Sequence, residues 1–583
     1  GLRTLTVIGD AIKFIYETTG DKLDIDKIPL DDEATCSMLR KGDTQGVFQL
    51  ESGGMTKLVM DLGPESFEDL IPLVALYRPG PLGTGMVEDF IAGRHGEKTA
   101  EMLHPLLQPV LKDTFGVILY QEQVMQITSV LAGFSLGQAD ILRRAMGKKK
   151  AKELDSMREA FIDGAQQKHG ISPQLSSEIF ALLQHFAGYG FNKSHSAAYA
   201  LVAYQTAYLK AHWPAEFMAA FLTSVISDSE KLSWYISVCR SMGLKILPPD
   251  VNESGRSFSV NKDRVIRFGL AGVKNVGENA IGSILQARKE GPFKSLMDFC
   301  KRVDNRAVNK RMLENLIKCG AMDSFGYKRS ELLAVAEQAM DMGSNYQKDY
   351  QSGQMGLFGD DSFADVNELR IPELEEIPKR TILQYEKELI GFYVTGNPLD
   401  AYVGSLYYYT PLRKISDASE VLDGKYFSVA GIISDCRIRN TRQGDSMAIL
   451  TLEDFNGKME IVVFPKVYRD AARLLYQENA ISVEGKLSID ERERKIQALK
   501  IKPLQEVPPD LHIKIMKKDE NGIVQKGLKQ IFESFSGDTP VYLHLIDSGK
   551  MIKVERCFWV DGKNAGVYQA LDDLLGENWY LKG

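Results

Sequence analysis

The sequence predicts a multidomain chain, mainly α in its N-terminal half, followed by a β-barrel and a small α+β C-terminal domain. Three observations carry this. The 583 residues suffice for roughly three to five domains. Residues 31–250 carry apolar patterning of helical period, broken by Gly/Pro punctuation such as YRPGPLGTGM. From Lys425 the pattern switches to period two, in runs of strand length.

The elements follow in order. Residues 1–30 give a short amphipathic helix and then IPLDDEAT. Asp31 and Asp32 read as an acidic N-cap before a helix over Ala34–Arg40 rather than as metal ligands. The block then runs through GVILYQEQVMQI, ADILRRAMGKKKAKEL and FAGYGFNKSHSAAYALVAYQTAYLKAHWPAEFM. In the last of these a Gly-rich turn leads to a helix capped by Ser194 or Ser196. That helix is apolar on nearly every side to about His212, and Pro214 stops it. A helix apolar all round is a buried helix.

Residues 251–325 change character. FGLAGVKNVGENAIGSILQAR reads as a short apolar segment, a tight turn and a helix, and NRAVNKRMLENLIKCGAMDSF repeats a helix–Gly–turn pattern. A polar linker over 343–375 leads into helix again across 376–400. The alternating runs KYFSVAGIISDCRIRN, SMAILTLEDFNGKMEIVVF, NAISVEGKLSID and KIQALKIKPL make five strands, with Asn456-Gly457 as a hairpin turn. The helical piece VYRDAARLLY falls between the third and fourth strands, which is the arrangement of an OB-type β-barrel. Residues 508–583 read as strand (LHIKIM), helix, strands (PVYLHLI and KVERCFWV), helix and strand (WYLKG), a small split βαβ sandwich.

Composition excludes several classes. The net charge of −7 argues against a uniformly basic nucleic-acid surface and leaves that role to local clusters. The six cysteines are scattered without a CxxC, as reduced thiols are, and form neither a disulfide frame nor a zinc site. No apolar run reaches the ~18–20 residues of a membrane span. The chain opens at Gly1 inside the patterned stretch GLRTLTVIGDAI, which reads as a piece of a longer protein.

Four stretches carry chemistry. ILRRAMGKKKAK holds Arg143, Arg144, Lys148 and Lys149 with no acid among them. It is either a solvated basic helix end or a grip for phosphate oxygens. GYGFNKSHSAAY places Lys193 and His195 at a helix start, where anions are favoured, although a lone histidine is more often structural. VKNVGENA, with Lys274, Asn275, Val276 and Gly277, is either a plain αα-hairpin or the turn of a helix-hairpin-helix, whose backbone N–H groups hold a DNA phosphate. There Gly277 permits the turn, and Asn275 stands where a second glycine is usual. Arg437, Arg439 and Arg442 fall in the connection after the first barrel strand.

Together, FQLESGGM, ALYRPGPLGTGMV, GVILYQEQVMQI, LRRAMGKKK, the FAGYGFNKSH block and SMGLKILPPDV resemble the alpha subunit of bacterial DNA polymerase III, the C-family replicative polymerases, across essentially the whole chain. The resemblance implies an order: fingers over 1–250, tandem helix-hairpin-helix over 251–342, a clamp-binding linker and helix over 343–424, the OB domain over 425–506 and a C-terminal α+β domain over 507–583. It implies that Arg143 and Arg144 lie near the dNTP triphosphate and His195 beside its sugar. It also implies that Gln354, Met355, Leu357 and Phe358 form a sliding-clamp peptide, its tether raising effective concentration.

The palm aspartates that hold Mg²⁺ in the full enzyme lie upstream in this family. No catalytic residue or metal is therefore expected in this chain, and the chain alone is expected to be inactive. Expected partners are primer-template DNA, dNTP and the sliding clamp, in the cytoplasm and with no membrane. The resemblance also admits a clamp-loader subunit on the C-terminal domain. The alternative is a non-enzymatic scaffold or repair protein built from helix-hairpin-helix and OB modules.

Overall fold

A computed structural model describes residues 2–98, 102–147, 151–187, 190–351, 369–416, 422–441, 443–455, 457–490, 493–506, 510–516, 522–576 and 579–580. The chain divides into two compact units, Gly1–Phe392 and Tyr393–Gly583.

The first unit begins with the Arg3–Thr19 helix, which packs on the Pro214–Ser224 helix. Asp32 caps the Glu33–Arg40 helix, its carboxylate accepting from the Thr35 amide at 2.8 Å, as the sequence predicts. The long Lys193–His212 helix runs through a first core, where Ala200, Ala203, Tyr204 and Ala207 share a cluster with Leu70 and Leu73 of the Phe67–Leu76 helix. Its burial is not complete: Leu201 is exposed, while Gln205, Thr206 and Lys210 are buried.

A second core joins four helices, Gln121–Ala132, Leu136–Gly147, Ala151–His169 and Pro173–Ala187, through Ile127, Leu142, Phe161 and Phe180. Gly164 lets two of them close up, since a Cβ there would lie 2.3 Å from the Ala132 carbonyl oxygen. Leu119 and Tyr120 belong to the first core, Val124 and Ile127 to the second, so residues 119–124 lie where the two cores meet.

Next comes a three-stranded sheet of two-residue strands, β1 (Ile246–Leu247), β2 (Ser259–Val260) and β3 (Ile266–Arg267), in the order β1-β3-β2. Strands this short leave no periodicity to read, and the sequence does not predict them. The helices Glu278–Ala287, Leu296–Arg302, Lys310–Lys318 and Arg329–Gln351 follow, and then Lys379–Ile390.

The second unit holds a closed barrel of β4 (Tyr426–Asn440), β5 (Ser446–Glu453), β6 (Lys458–Val463), β7 (Ala480–Asp490) and β8 (Glu493–Pro503), ordered β4-β5-β6-β8-β7. Alternation places Ala448, Leu450 and Leu452 of β5 and Met459, Ile461 and Val463 of β6 in its core. The Pro465–Ala471 helix sits between the third and fourth strands, where the sequence places it. Asn456 of the expected hairpin turn lies outside the described residues.

In the tail, β9 (Leu511–Ile515) pairs in parallel with β11 (Val541–Leu545), and the Gly522–Ser534 helix lies between them in the chain. The short β10 (Ser536–Thr539) precedes β11, and β12 (Lys550–Lys553) pairs antiparallel with it. One expectation is corrected here. The strand placed over 553–560 ends at Lys553, and Arg556–Phe558 is a 3₁₀ turn. Of the last expected strand, residues 581–583 lie outside the described residues, and Tyr580 bridges Ile513.

Candidate functional site

The YQEQ run, residues 120–123, organises the site. Gln123 is buried and locks the run's own start. Its Oε1 accepts from the Leu119 and Tyr120 amides at 2.8 and 2.9 Å, and its Nε2 donates to Thr114 Oγ1 at 2.7 Å. The backbone then zips to the segment that leads into the Lys193–His212 helix. The Phe191 amide donates to Leu119 O at 3.1 Å, and the Gln121 amide donates to Phe191 O at 2.9 Å. The Glu122 carboxylate accepts from the Lys193 amide at 3.0 Å and from Asn192 Nδ2 at 3.0 Å.

The Gln121 side chain reaches both ways. Its Nε2 donates to Gly190 O at 2.9 Å, and its Oε1 accepts from Arg143 Nη1 at 2.8 Å. Arg143 also donates Nε and Nη2 to Asp140 Oδ1 at 3.0 and 2.8 Å, while Arg144 Nη2 meets Asp140 Oδ2 at 2.6 Å. The Arg143 hydrogen bond, with both cations close by, holds the Asp140 carboxyl below the usual carboxylate range. The basic run is therefore not acid-free in space. Its partner stands one residue before the stretch and one helical turn from both arginines.

Asn192 caps the Lys193–His212 helix, accepting from the His195 amide at 2.8 Å. The sequence placed that cap on Ser194 or Ser196, but Ser196 is buried and its Oγ donates to Ile71 O. With Glu122 on the Lys193 amide, a carboxylate already occupies this helix start, so the open anion site expected there is not present. His195 is exposed, its ring 4.3 Å from Tyr199 and edge-on to Phe191 at 5.4 Å. Lys193 Nζ stands 5.5 Å over the Tyr120 ring, and the Arg78 guanidinium 4.4 Å over Phe191. The structure thus joins Arg143 to the segment that carries His195 through Gln121.

In the hairpin at 273–277, Asn275 takes φ +65°, the left-handed conformation. Gly277 does not need glycine's freedom: it has φ −80° and ψ 160° as the N-cap of the Glu278–Ala287 helix, and a Cβ there would meet nothing within 4 Å. Val276 is buried, while Lys274, Asn275 and Gly277 are exposed. The Lys274 amide donates to Leu389 O at 2.8 Å and the Val276 amide to Val273 O at 3.2 Å, which removes both from the expected set of phosphate donors and leaves the lysine side chain in their place.

Arg437 and Arg439 do not lie in a connection. Both are on β4, opposite Ile449 and Met447 of β5, and exposed, with Arg437 Nε donating to Asp435 at 2.8 Å. Period two puts them on one side of the strand. Lys148, Lys149, Arg442 and the peptide residues Gln354, Met355, Leu357 and Phe358 lie outside the described residues. No group of three His, Cys, Asp or Glu side chains able to hold a metal ion occurs among the described residues.

Three family models match: the bacterial DNA polymerase III alpha subunit finger domain over residues 4–169, a helix-hairpin-helix motif over 243–332 and an OB-fold nucleic acid binding domain over 427–504. The chain is 42% identical over 559 residues to the DNA polymerase III subunit alpha of Thermus aquaticus, covering 94% of this chain and 45% of that protein. It is 41% identical over 618 residues to that of Pseudomonas aeruginosa, covering 99% and 52%. It is 43% identical over 502 residues to that of Escherichia coli, covering 84% and 43%. Over most of its length the chain is thus similar to DNA polymerase III alpha subunits, and residues 4–169 match their finger domain. It spans about half the length of these relatives.

Arg143 and Arg144 fall inside the finger match, and Lys274 to Gly277 inside the helix-hairpin-helix match. Arg437 and Arg439 fall inside the OB match. Sequence reasoning missed Gln121, Glu122, Asp140 and Arg78. Asp140 was within reach, being three and four residues before the arginines on a helix. The contacts of Gln121 and Glu122 to residues about seventy positions away leave no local signal.

Proposed function

We propose that this chain is the incoming-nucleotide, DNA and sliding-clamp binding part of a replicative DNA polymerase that extends primers 5′-to-3′ on a template. The observation that supports this most is the arginine pair inside the finger match, held by Asp140 and Gln121. Two guanidinium groups against one carboxylate leave a positive excess for the triphosphate of a dNTP. Lys148 and Lys149 add charge, and His195 stands beside the sugar. Holding the triphosphate orients the α-phosphorus for attack by the primer 3′-hydroxyl, with pyrophosphate leaving. The Mg²⁺ of the full enzyme is assigned to carboxylates outside this chain.

The turn of Asn275, Val276 and Gly277, with the Lys274 side chain, takes a duplex phosphate without reading sequence. Arg437 and Arg439, together with Arg442, take single-stranded template along the barrel. Gln354, Met355, Leu357 and Phe358 grip a sliding clamp, and the C-terminal α+β domain is the candidate dock for a clamp-loader subunit. The working place proposed is the cytoplasm. Among the described residues no helix is long and apolar enough to cross a membrane.

The test is steady-state primer extension with the full-length subunit. Arg143→Ala and Arg144→Ala each raise the KM for dNTP roughly tenfold, the size of losing a charged hydrogen bond, at unchanged primer-template Kd. An unchanged KM in both variants contradicts the nucleotide assignment. Capture of the subunit on an immobilised clamp after Leu357 and Phe358 are both replaced by Ala contradicts the clamp assignment.

A further inference from the structure

We propose that Gln121 is a positioning residue for the incoming nucleotide. Its single amide fixes the Arg143 guanidinium against the segment that carries His195. The inference rests on the reading of Arg143 as a triphosphate ligand.

The geometry is specific to an amide. Gln121 accepts from Arg143 Nη1 at 2.8 Å and donates to the Gly190 carbonyl at 2.9 Å, and its own backbone amide donates to Phe191 O. A glutamate accepts from Arg143 but cannot donate to Gly190, and two oxygens would then face each other. A leucine fills the space and makes neither bond. Asparagine has both groups but is one methylene short.

Arg143 is held along two edges, with Nε and Nη2 on Asp140 and Nη1 on Gln121. Of the five N–H donors of a guanidinium, three are thus engaged among the described residues, and two remain for phosphate oxygens. A planar fork held on two edges cannot swivel, so the remaining donors keep one direction. Gln121 also does this without charge. Asp140 already offsets part of the charge of the two arginines, and a second carboxylate here would cancel the excess that favours a polyanion.

Glu122 completes the device from the next position. It ties the Lys193 amide and the Asn192 side chain to the same helix start, so the arginine and the histidine are referred to one rigid run. Gln123 anchors that run in the interior.

The experiment is single-nucleotide primer extension with the full-length subunit, comparing the parent with Gln121→Leu, Gln121→Glu, Gln121→Asn, Arg143→Ala and the Gln121→Leu/Arg143→Ala pair. Gln121→Leu and Gln121→Glu are expected to raise the dNTP KM about tenfold while kcat changes less than about threefold and primer-template Kd holds. Gln121→Asn shifts KM in the same direction at an unchanged melting temperature, which separates positioning from folding. In the Arg143→Ala background, Gln121→Leu adds less than about twofold, because its partner is gone.

If Arg143→Ala raises KM but none of the Gln121 variants does, or if the two effects multiply, the positioning role is overturned. If Arg143→Ala leaves KM unchanged, the nucleotide reading itself fails, and this inference falls with it.

Discussion

Lys210, in the first core, is only 2% exposed, yet it carries an ammonium group. Its Nζ donates to the carbonyl oxygens of Asp43 and Gln45 at 2.8 and 2.9 Å, which satisfies the donor without neutralising it. Burial pushes its pKa down from 10.5 to about 8. The unfolded chain therefore binds this proton more tightly than the folded one. The penalty for burying the charge is complete below pH 8 and is relieved as pH rises toward 10.5. Relative to Lys210→Met, the parent is expected to gain on the order of 3 kcal/mol between pH 8 and 10.5, read from urea midpoints. A difference that stays flat or falls across that window contradicts the assignment.

The same scale shows what a residue type reveals. Asn275 was legible as a left-handed position because asparagine tolerates that conformation, and its φ is +65°. Gly277 misled for the matching reason. Glycine permits a positive φ but does not require one, and here it serves as an extended N-cap.

Among the elements, the Lys379–Ile390 helix is fixed to its unit by a buried pair. Glu386 Oε1 meets Arg329 Nη1 at 3.0 Å, with side chains 0% and 4% exposed. Arg329 is held further by Asp323 and by the Lys318 carbonyl. Leu389 of that helix accepts the Lys274 amide, so docking the helix also steadies the hairpin turn. Removing Glu386 leaves Arg329 paired with Asp323, so the cost is that of one buried charged hydrogen bond, about 1.5–3 kcal/mol. Glu386→Ala is expected to lose about 2 kcal/mol in urea unfolding and to weaken duplex binding, although Glu386 touches no proposed DNA contact. Unchanged stability together with unchanged duplex affinity contradicts this coupling.

Elements with a strong period were readable at this scale. The barrel strands came from alternation, with a helical piece between the third and fourth, and the Lys310–Lys318 helix from its helix–Gly–turn pattern. The two-residue strands β1 to β3 are too short to carry a period. The strand expected over 553–560 failed because an apolar aromatic run, Phe558-Trp559-Val560, looks like a strand while Arg556–Phe558 closes a 3₁₀ turn. Within the site, the cations were legible as a run of like charge, whereas the neutral Gln121 and the acids beside it were not. Their meaning comes from partners brought near only by the fold of the first unit.

For the whole molecule, the net charge of −7 and the local cationic clusters are reconciled by placement. Arg143 and Arg144 outnumber Asp140 on the Leu136–Gly147 helix, while most acids are distributed elsewhere along the chain. The order of the finger, helix-hairpin-helix and OB segments was legible because each changes its period or composition, whereas the linker expected from 343 begins inside the Arg329–Gln351 helix. The joining of the Leu136–Gly147 helix to the start of the Lys193–His212 helix was not, because it depends on contacts between residues far apart in sequence. That joining is the centre of the account.

The most direct test is hydrogen–deuterium exchange of the full-length subunit on a chain-terminated primer-template, with and without the next complementary dNTP. The account predicts that the dNTP slows exchange across Leu136–Gly147 and at the amides of residues 190–196 together, and that Gln121→Leu uncouples the two responses. Protection confined to other segments, with both of these unchanged, would contradict it.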